Sequence, residues 1–235
     1  MKKIIQTFLH IFILSSQVFA IAGFGLNLNK SMYSVAESTS SLKVEVDGNT
    51  VPVATITQHA FDNGLGIGGY LYIDAIPMVD LDIEGSLIIS PYEFSFTNLL
   101  TSIDKQQFGW VDASGYITLQ KKILKLSIPF LAKAKLTAGA GVNSHSSTPM
   151  VDQNMMEAVM GGADNLESGT LDTDELIKYL KDNKVSSTGF HIQTGLQFKI
   201  LMLDSFLFYR QVIADDVIPG AKGFGSLNLR LGMGF

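Results

Sequence analysis

Residues 225–235 alternate with period two: Leu227, Leu229, Leu231, Met233 and Phe235 fall on one face, and Ser226, Asn228, Arg230, Gly232 and Gly234 on the other. A segment built this way suits a β-strand with one apolar face and one polar or tiny face. The pattern returns in residues 22–29, where Ala22, Phe24, Leu26 and Leu28 oppose Gly23, Gly25, Asn27 and Asn29. Two such strands, one early and one last, are natural partners, since pairing them closes a sheet and removes both of its edges. Mean hydropathy is positive, +0.25, yet no apolar run beyond residue 22 approaches the ~20 residues of a spanning helix. Apolar content without apolar blocks is what alternating strands produce.

Between these two segments the alternation predicts six more strands. Residues 64–74 set Leu65, Ile67, Leu71 and Ile73 against Gly64, Gly66, Gly68, Tyr70 and Tyr72. After a turn through Ile76-Pro77, residues 79–89 set Val79, Leu81, Ile83, Leu87 and Ile89 against Asp80, Asp82, Glu84 and Ser86. Residues 108–120 put Trp110, Asp112, Ser114, Tyr116 and Thr118 inward. A second Ile-Pro turn, at Ile128-Pro129, leads to a fifth strand with Lys133, Lys135, Thr137, Gly139 and Gly141 inward. The sixth, residues 189–200, sets Phe190, Ile192, Thr194, Leu196 and Phe198 against His191, Gln193, Gly195, Gln197 and Lys199, and 203–212 is a less regular seventh. Residues 91–107 read as a loop with aromatic borders. Residues 42–46 and 51–57, around Asp47-Gly48-Asn49, form either a hairpin inside a polar loop or two further spanning strands. The expectation is therefore eight strands, with ten as the alternative. Short turns fall near 75, 128 and 201, and longer loops near 31, 93, 143 and 213.

The first residues have the order of a secretory signal peptide: Lys2 and Lys3, an apolar run over 4–14, then small residues over 15–22. Cleavage follows Ala20 or Ala22. The domain reading is a signal peptide over 1–22 and a barrel over 23–235 that includes a loop insertion at 144–188. Losing the first twenty residues removes two lysines and no acid. That leaves 15 basic against 22 acidic residues, a net charge of −7, which argues against a nucleic-acid partner. The absence of cysteine excludes disulfide frameworks and lipoprotein anchoring.

A signal peptide, alternating strands, loops that are short at one end and long at the other, and a terminal Phe235 together resemble the small outer-membrane β-barrels, such as the OmpA transmembrane domain, OmpX and OmpW. The resemblance covers the whole mature chain and rests on pattern, with no long shared motif. It implies an all-β, antiparallel up-and-down transmembrane barrel in the bacterial outer membrane. It also implies outer-membrane lipid and lipopolysaccharide as surroundings, a monomer, and Phe235 as the signal read by the barrel assembly machinery.

The inward faces gather Asp80, Asp82, Glu84 and Asp112 with Lys133, Lys135, Lys199 and Arg230. Eight strands leave room only for side chains, so these charges are expected to meet as a salt-bridged plug, with Asp80 and Asp82 near Lys133 and Lys135. Aromatic residues near strand ends, Tyr72, Tyr92, Phe94, Phe108, Trp110, Phe130, Phe190, Tyr209 and Phe224, suggest interfacial girdles. The expected role is non-enzymatic, structural or at the cell surface, with a filled lumen. A narrow channel or carrier for small apolar solutes is the alternative. A lipid-modifying enzyme is a third reading, on the strength of His145, Ser146 and Ser147, for which no orienting acid stands out.

The insertion is acidic and carries two helical patterns, 155–160 and 174–180. Between them, residues 164–175 have the spacing of an EF-hand calcium loop, with Asp164, Ser168, Thr170 by its carbonyl, Asp172 and Glu175 as ligands and Gly169 at the sharp turn. Leu166 stands where a third-position oxygen is required. No cofactor is expected beyond a weak Ca2+ site there, and an acidic, helix-capping loop is the plainer reading.

Overall fold

A computed structural model describes residues 22–74, 79–99, 102–128, 132–159, 172–200 and 202–234. The chain runs β1 (Ala22–Val35), β2 (Ser38–Val46), β3 (Asn49–Gln58), β4 (Phe61–Ile73), β5 (Asp80–Asn98), β6 (Ser102–Ile128) and β7 (Ala132–Ser147). Two helices follow, α1 (Gln153–Val159) and α2 (Thr173–Asp182), then β8 (Val185–Ile200), β9 (Leu203–Ile213) and β10 (Gly223–Gly234). Residues 1–21 of the segment read as a signal peptide and the terminal Phe235 lie outside the described residues, while Ala22 opens β1.

Eight strands close a ring, in the order β1, β4, β5, β6, β7, β8, β9, β10. All pairs are antiparallel, and closure is made by the first and last strands, from Gly23 opposite Gly234 to Met32 opposite Gly225. The segment with two open readings is a hairpin outside this ring: among the described residues β2 pairs only with β3, and β3 adds to the outer end of β5, from Gln58 opposite Phe94 to Ala54 opposite Asn98. Its residues explain why it does not cross. Thr39 bonds Thr57 and Ser41 bonds Thr55, hydroxyl to hydroxyl, on an exposed face that lipid would not accept. Its turn is the two-residue kind that needs positive φ, supplied by Asp47 and Gly48.

The strands outrun their sequence signals at the long-loop end. Residues 91–98 and 102–107 are ladder and not loop: Tyr92 opposes Phe108, Phe94 opposes Gln106 and Phe96 opposes Ile103. Tyr92, Phe94 and Phe96 alternate with Glu93, Ser95 and Thr97, so the period was present under the aromatic composition. Pro91 sits between the last β4 pair, at Ile89, and the first β3 pair, at Phe94, where its missing N–H leaves no gap in a ladder. β6 reaches 27 residues, well beyond the ~9–11 that cross a bilayer.

The faces are inside out relative to a water-soluble fold. Leu71, Ile83, Ile117, Val142 and Phe190 lie side by side on five neighbouring strands and point outward, with Phe190 68% exposed. Asn27, Glu84, Asp112, Arg210 and Arg230 point inward and are buried. An apolar exterior around a charged, packed interior is the arrangement of a transmembrane barrel. Small inner positions make room for large ones on the neighbouring strand, as at Gly66, which opposes Asn29 and where a Cβ would come within 2.4 Å of the Asn29 amide oxygen.

Candidate functional site

The lumen is filled in layers, starting at the long-loop end. There α1 lies in the mouth and buries Met155, Met156 and Val159 with Val151 against Tyr92, Phe94 and other apolar side chains, joined by Val217 and Ile218 from the last loop. Asp152 caps α1 through the Met155 N–H at 2.8 Å and accepts the Tyr179 hydroxyl at 3.2 Å, which ties α2 to α1. Burial and this carboxylate push the Tyr179 phenol up. The Val151 N–H donates to the Tyr92 hydroxyl at 3.0 Å, and Gln58 donates to the Val151 carbonyl at 2.5 Å, so barrel wall and hairpin both hold the cap.

Beneath it, Asp112 on β6 accepts from His145 Nδ1 on β7 at 2.8 Å, and Thr118 meets His191 Nε2 at 2.8 Å. Tyr116 stands edge-on to both imidazoles. This supplies the acid that the His145 reading lacked in sequence, but it does not assemble a triad. His145 is buried and its Nε2 has no hydrogen-bond partner among the described residues, so none of their nucleophiles is in reach of it. Alternation turns Ser146 to the outer face, while Ser147 sits opposite Asp112, one inward position along.

The middle layer crosses the whole interior. Glu84 on β5 receives Arg210 of β9 in a fork, Nη1 to Oε1 at 3.1 Å and Nη2 to Oε2 at 2.8 Å, and also receives Arg230 of β10 on Oε2. Arg230 reaches Asp82 at 2.6 Å, Gln120 donates to the same Asp82 oxygen at 2.6 Å, and Asn27 donates to Glu84 at 2.9 Å. The Arg210 guanidinium also lies over the Tyr116 ring, 3.8 Å from its centroid. Bidentate pairing with an aromatic face beneath is the geometry an arginine satisfies best in a dry site. Below come Tyr70, Tyr72, Phe206 and Phe208, then Asp204, which accepts from Tyr72 at 2.5 Å and Gln197 at 3.0 Å and pairs with Lys199 at 3.6 Å.

The predicted charges are thus placed as follows. Asp82, Glu84 and Arg230 meet directly; Asp112 pairs with His145 and not with a lysine. The expected pairing of Asp80 and Asp82 with Lys133 and Lys135 is not what forms: Asp80 pairs with Lys122 at 3.1 Å, Lys135 with Asp74 at 3.6 Å, and Lys133 is exposed at the rim. The reason is stagger. Closing the ring shifts neighbouring strands along one another, which brings Asp82 level with Arg230 and leaves the β7 lysines lower, beside the first turn. There, partial burial works to raise the Asp74 carboxyl, but hydrogen bonding with Asp80 and Lys122 and the Lys135 charge outweigh it and hold the group below the ordinary carboxylate range. The girdle reading needs a similar correction. Tyr72, Tyr92, Phe94, Trp110 and Phe224 are buried in the interior and Phe108 packs against them; Phe190 and Tyr209 do face outward, and Phe130 lies outside the described residues.

Sequence reasoning missed Arg210, Asp204, Asp74 and Lys122. Arg210 and Asp204 share one parity in 203–212, but Phe206 and Phe208 on that same face gave the strand two apolar sides and hid the polar one. Of the calcium residues, Asp164, Ser168 and Thr170 lie outside the described residues. Asp172 is the N-cap of α2, its carboxylate accepting from the Asp174 and Glu175 N–H groups, and Glu175 takes Lys178 at 3.3 Å.

No family model matches the chain, and no curated protein does. Among solved structures it is similar to the N-terminal β-barrel domain of Pseudomonas aeruginosa OprF, at 9% identity over 91% of this chain and 99% of that one, with a TM-score of 0.40. It is also similar to the outer membrane protein OprG from Pseudomonas aeruginosa, at 11% identity over 92% and 98% with a TM-score of 0.43. A third is Ail, the attachment invasion locus protein of Yersinia pestis, at 12% identity over 91% and 97% with a TM-score of 0.35.

Proposed function

We infer that this protein is a monomeric bacterial outer-membrane barrel that does not conduct solutes and acts non-enzymatically through the structure it presents at the long-loop end. The observation that carries this reading is the ionic layer at Glu84. β5 and β9 stand four places apart in a ring of eight, so the Arg210–Glu84 fork joins opposite walls, and Arg230 and Asp82 fill the space beside it. A charge pair in mid-lumen leaves no continuous water column, and the α1 cap closes the same path a second time. The hairpin and the α1–α2 insertion then form the part of the molecule offered to partners outside the cell, held on a rigid wall.

The test is a planar-bilayer recording of the purified, refolded protein. The expected result is a baseline without discrete steps; stable unitary currents would overturn the reading. Heat-modifiable migration on detergent gels after membrane fractionation checks the location, and recovery in a soluble periplasmic extract would refute it.

A further inference from the structure

A cluster of lysines at the short-turn end of the lumen is not absorbed by this reading. Lys122 and Lys125 on β6, Lys133 and Lys135 on β7 and Lys199 on β8 line one pocket of about 250 Å3 beside Asp74. A bulge in β6 builds it. The register slips between Lys122 and Leu124, so that Ile123 and Leu124 are both exposed and Lys125 returns to the inner face. Strict alternation from Gln120 would have sent Lys125 outward into lipid, where a charge is costly.

The bulge sets Lys125 directly opposite Lys135, and the next strand sets Lys133 directly opposite Lys199. Like charges in directly opposed positions repel. Three carboxylates offset part of this: Asp74 takes Lys122 at 2.5 Å and Lys135 at 3.6 Å, Asp80 takes Lys122 at 3.1 Å, and Asp204 takes Lys199 at 3.6 Å. Among the described side chains, five lysines against three carboxylates leave two positive charges over. Lys125 and Lys133 are the two without an acidic partner among the described residues, and the connecting segments 75–79, 129–131 and 201–202 contain no Asp or Glu.

We propose that this pocket binds a phosphate group, whose negative charge, single in a phosphodiester and double in free hydrogen phosphate, offsets part or all of the lysine excess and whose oxygens accept from several ammonium groups at once. The group comes either from a soluble phosphate or from the head group of an anionic phospholipid in the adjacent leaflet. The site lies at the opposite end from the proposed surface role, so conductance measurements do not bear on it.

The full protein is prepared in maltoside micelles, which carry no phosphate. Inorganic phosphate is titrated by calorimetry, and phosphatidylglycerol retention from doped micelles is read by native mass spectrometry. The variant is Lys125→Gln with Lys133→Gln, two exposed side chains without ion pairs among the described residues, with heat-modifiable migration as the folding check. Lys178→Gln with Lys181→Gln on α2 makes the same charge change at the other end. Saturable binding of either ligand by the parent, weakened about tenfold or more in the β6–β7 variant and unchanged in the α2 variant, is expected. A phosphate heat identifies a soluble source, and lipid retention identifies a head group. Binding of neither ligand at millimolar concentration, equal binding by the β6–β7 variant, or an equal loss in the α2 variant overturns the proposal.

Discussion

Glu84 answers two guanidinium groups at once, and its removal leaves more positive charge in the interior than Asp82 can satisfy. Breaking a buried ion pair by deleting one partner costs about 3–5 kcal/mol, most of it the penalty of the stranded charge. Glu84→Ala is expected to lose stability of that order in urea titrations in lipid vesicles, with the fluorescence of Trp110, the single tryptophan, as the signal. The double variant Glu84→Leu with Arg210→Met removes charge from both sides and leaves Arg230 to Asp82. It is expected to regain most of the loss, because well-packed apolar groups replace a buried pair at little cost. Equal stability of Glu84→Ala and the parent would mean that water reaches this layer.

The elements differ in how far they depend on one another. Strands of the ring are held by ladders on both sides, whereas α1 is held by the burial of Met155, Met156 and Val159 and a few polar ties. A helix of 7 residues has no stability of its own, so packing alone keeps it in the mouth. Met155→Asp places an unpaired charge against Phe94 and its neighbours and costs several kcal/mol if the helix stays docked. The cheaper outcome is undocking. Trypsin is then expected to cut at Lys178, Lys181 or Lys184 far faster than in the parent, while the barrel keeps its heat-modifiable migration. Unchanged proteolysis would show that the insertion is held by something other than these methionines. The helices also show what was readable locally: the patterns at 155–160 and 174–180 correspond to α1 and α2, and Asp172, grouped by its spacing with the calcium ligands, serves as the N-cap of α2. The bulge in β6 was equally present in the sequence as two adjacent apolar residues, Ile123 and Leu124, between Lys122 and Lys125. Its meaning depends on the Lys135 and Thr137 rungs of the neighbouring strand, which a single segment does not reveal.

For the whole molecule, the apolar exterior makes a sharp distinction between two surfaces that are both exposed. Leu119 points outward near the middle of β6, in the belt that faces lipid; Leu42 is exposed on the β2–β3 hairpin, beyond the ring. Arginine at the bilayer midplane costs about 2–4 kcal/mol. Leu119→Arg is expected to lose about that much in vesicle unfolding experiments, and Leu42→Arg to change stability by less than about 0.5 kcal/mol. Similar losses at both sites would place the hairpin in the membrane and reopen the ten-strand count.

Period-two alternation is a property of a few consecutive residues, and in an up-and-down barrel most strands pair with their neighbours in sequence. That is why the residues alone determined the barrel, the inward and outward faces, the short turns and the pairing of the first strand with the last. They also supplied both readings of 42–57. The charge partners were another matter. Glu84 and Arg210 are 126 residues apart, and Glu84 and Arg230 are 146 apart. Which inward residue meets which across the lumen depends on the stagger accumulated around the closed ring, where a slip of one or two residues in a single ladder moves every contact above and below it. The cross-lumen fork at Glu84, the turn of Asp112 toward His145, the seating of α1 in the mouth and the gathering of five lysines at the other end were therefore decided only by the tertiary structure.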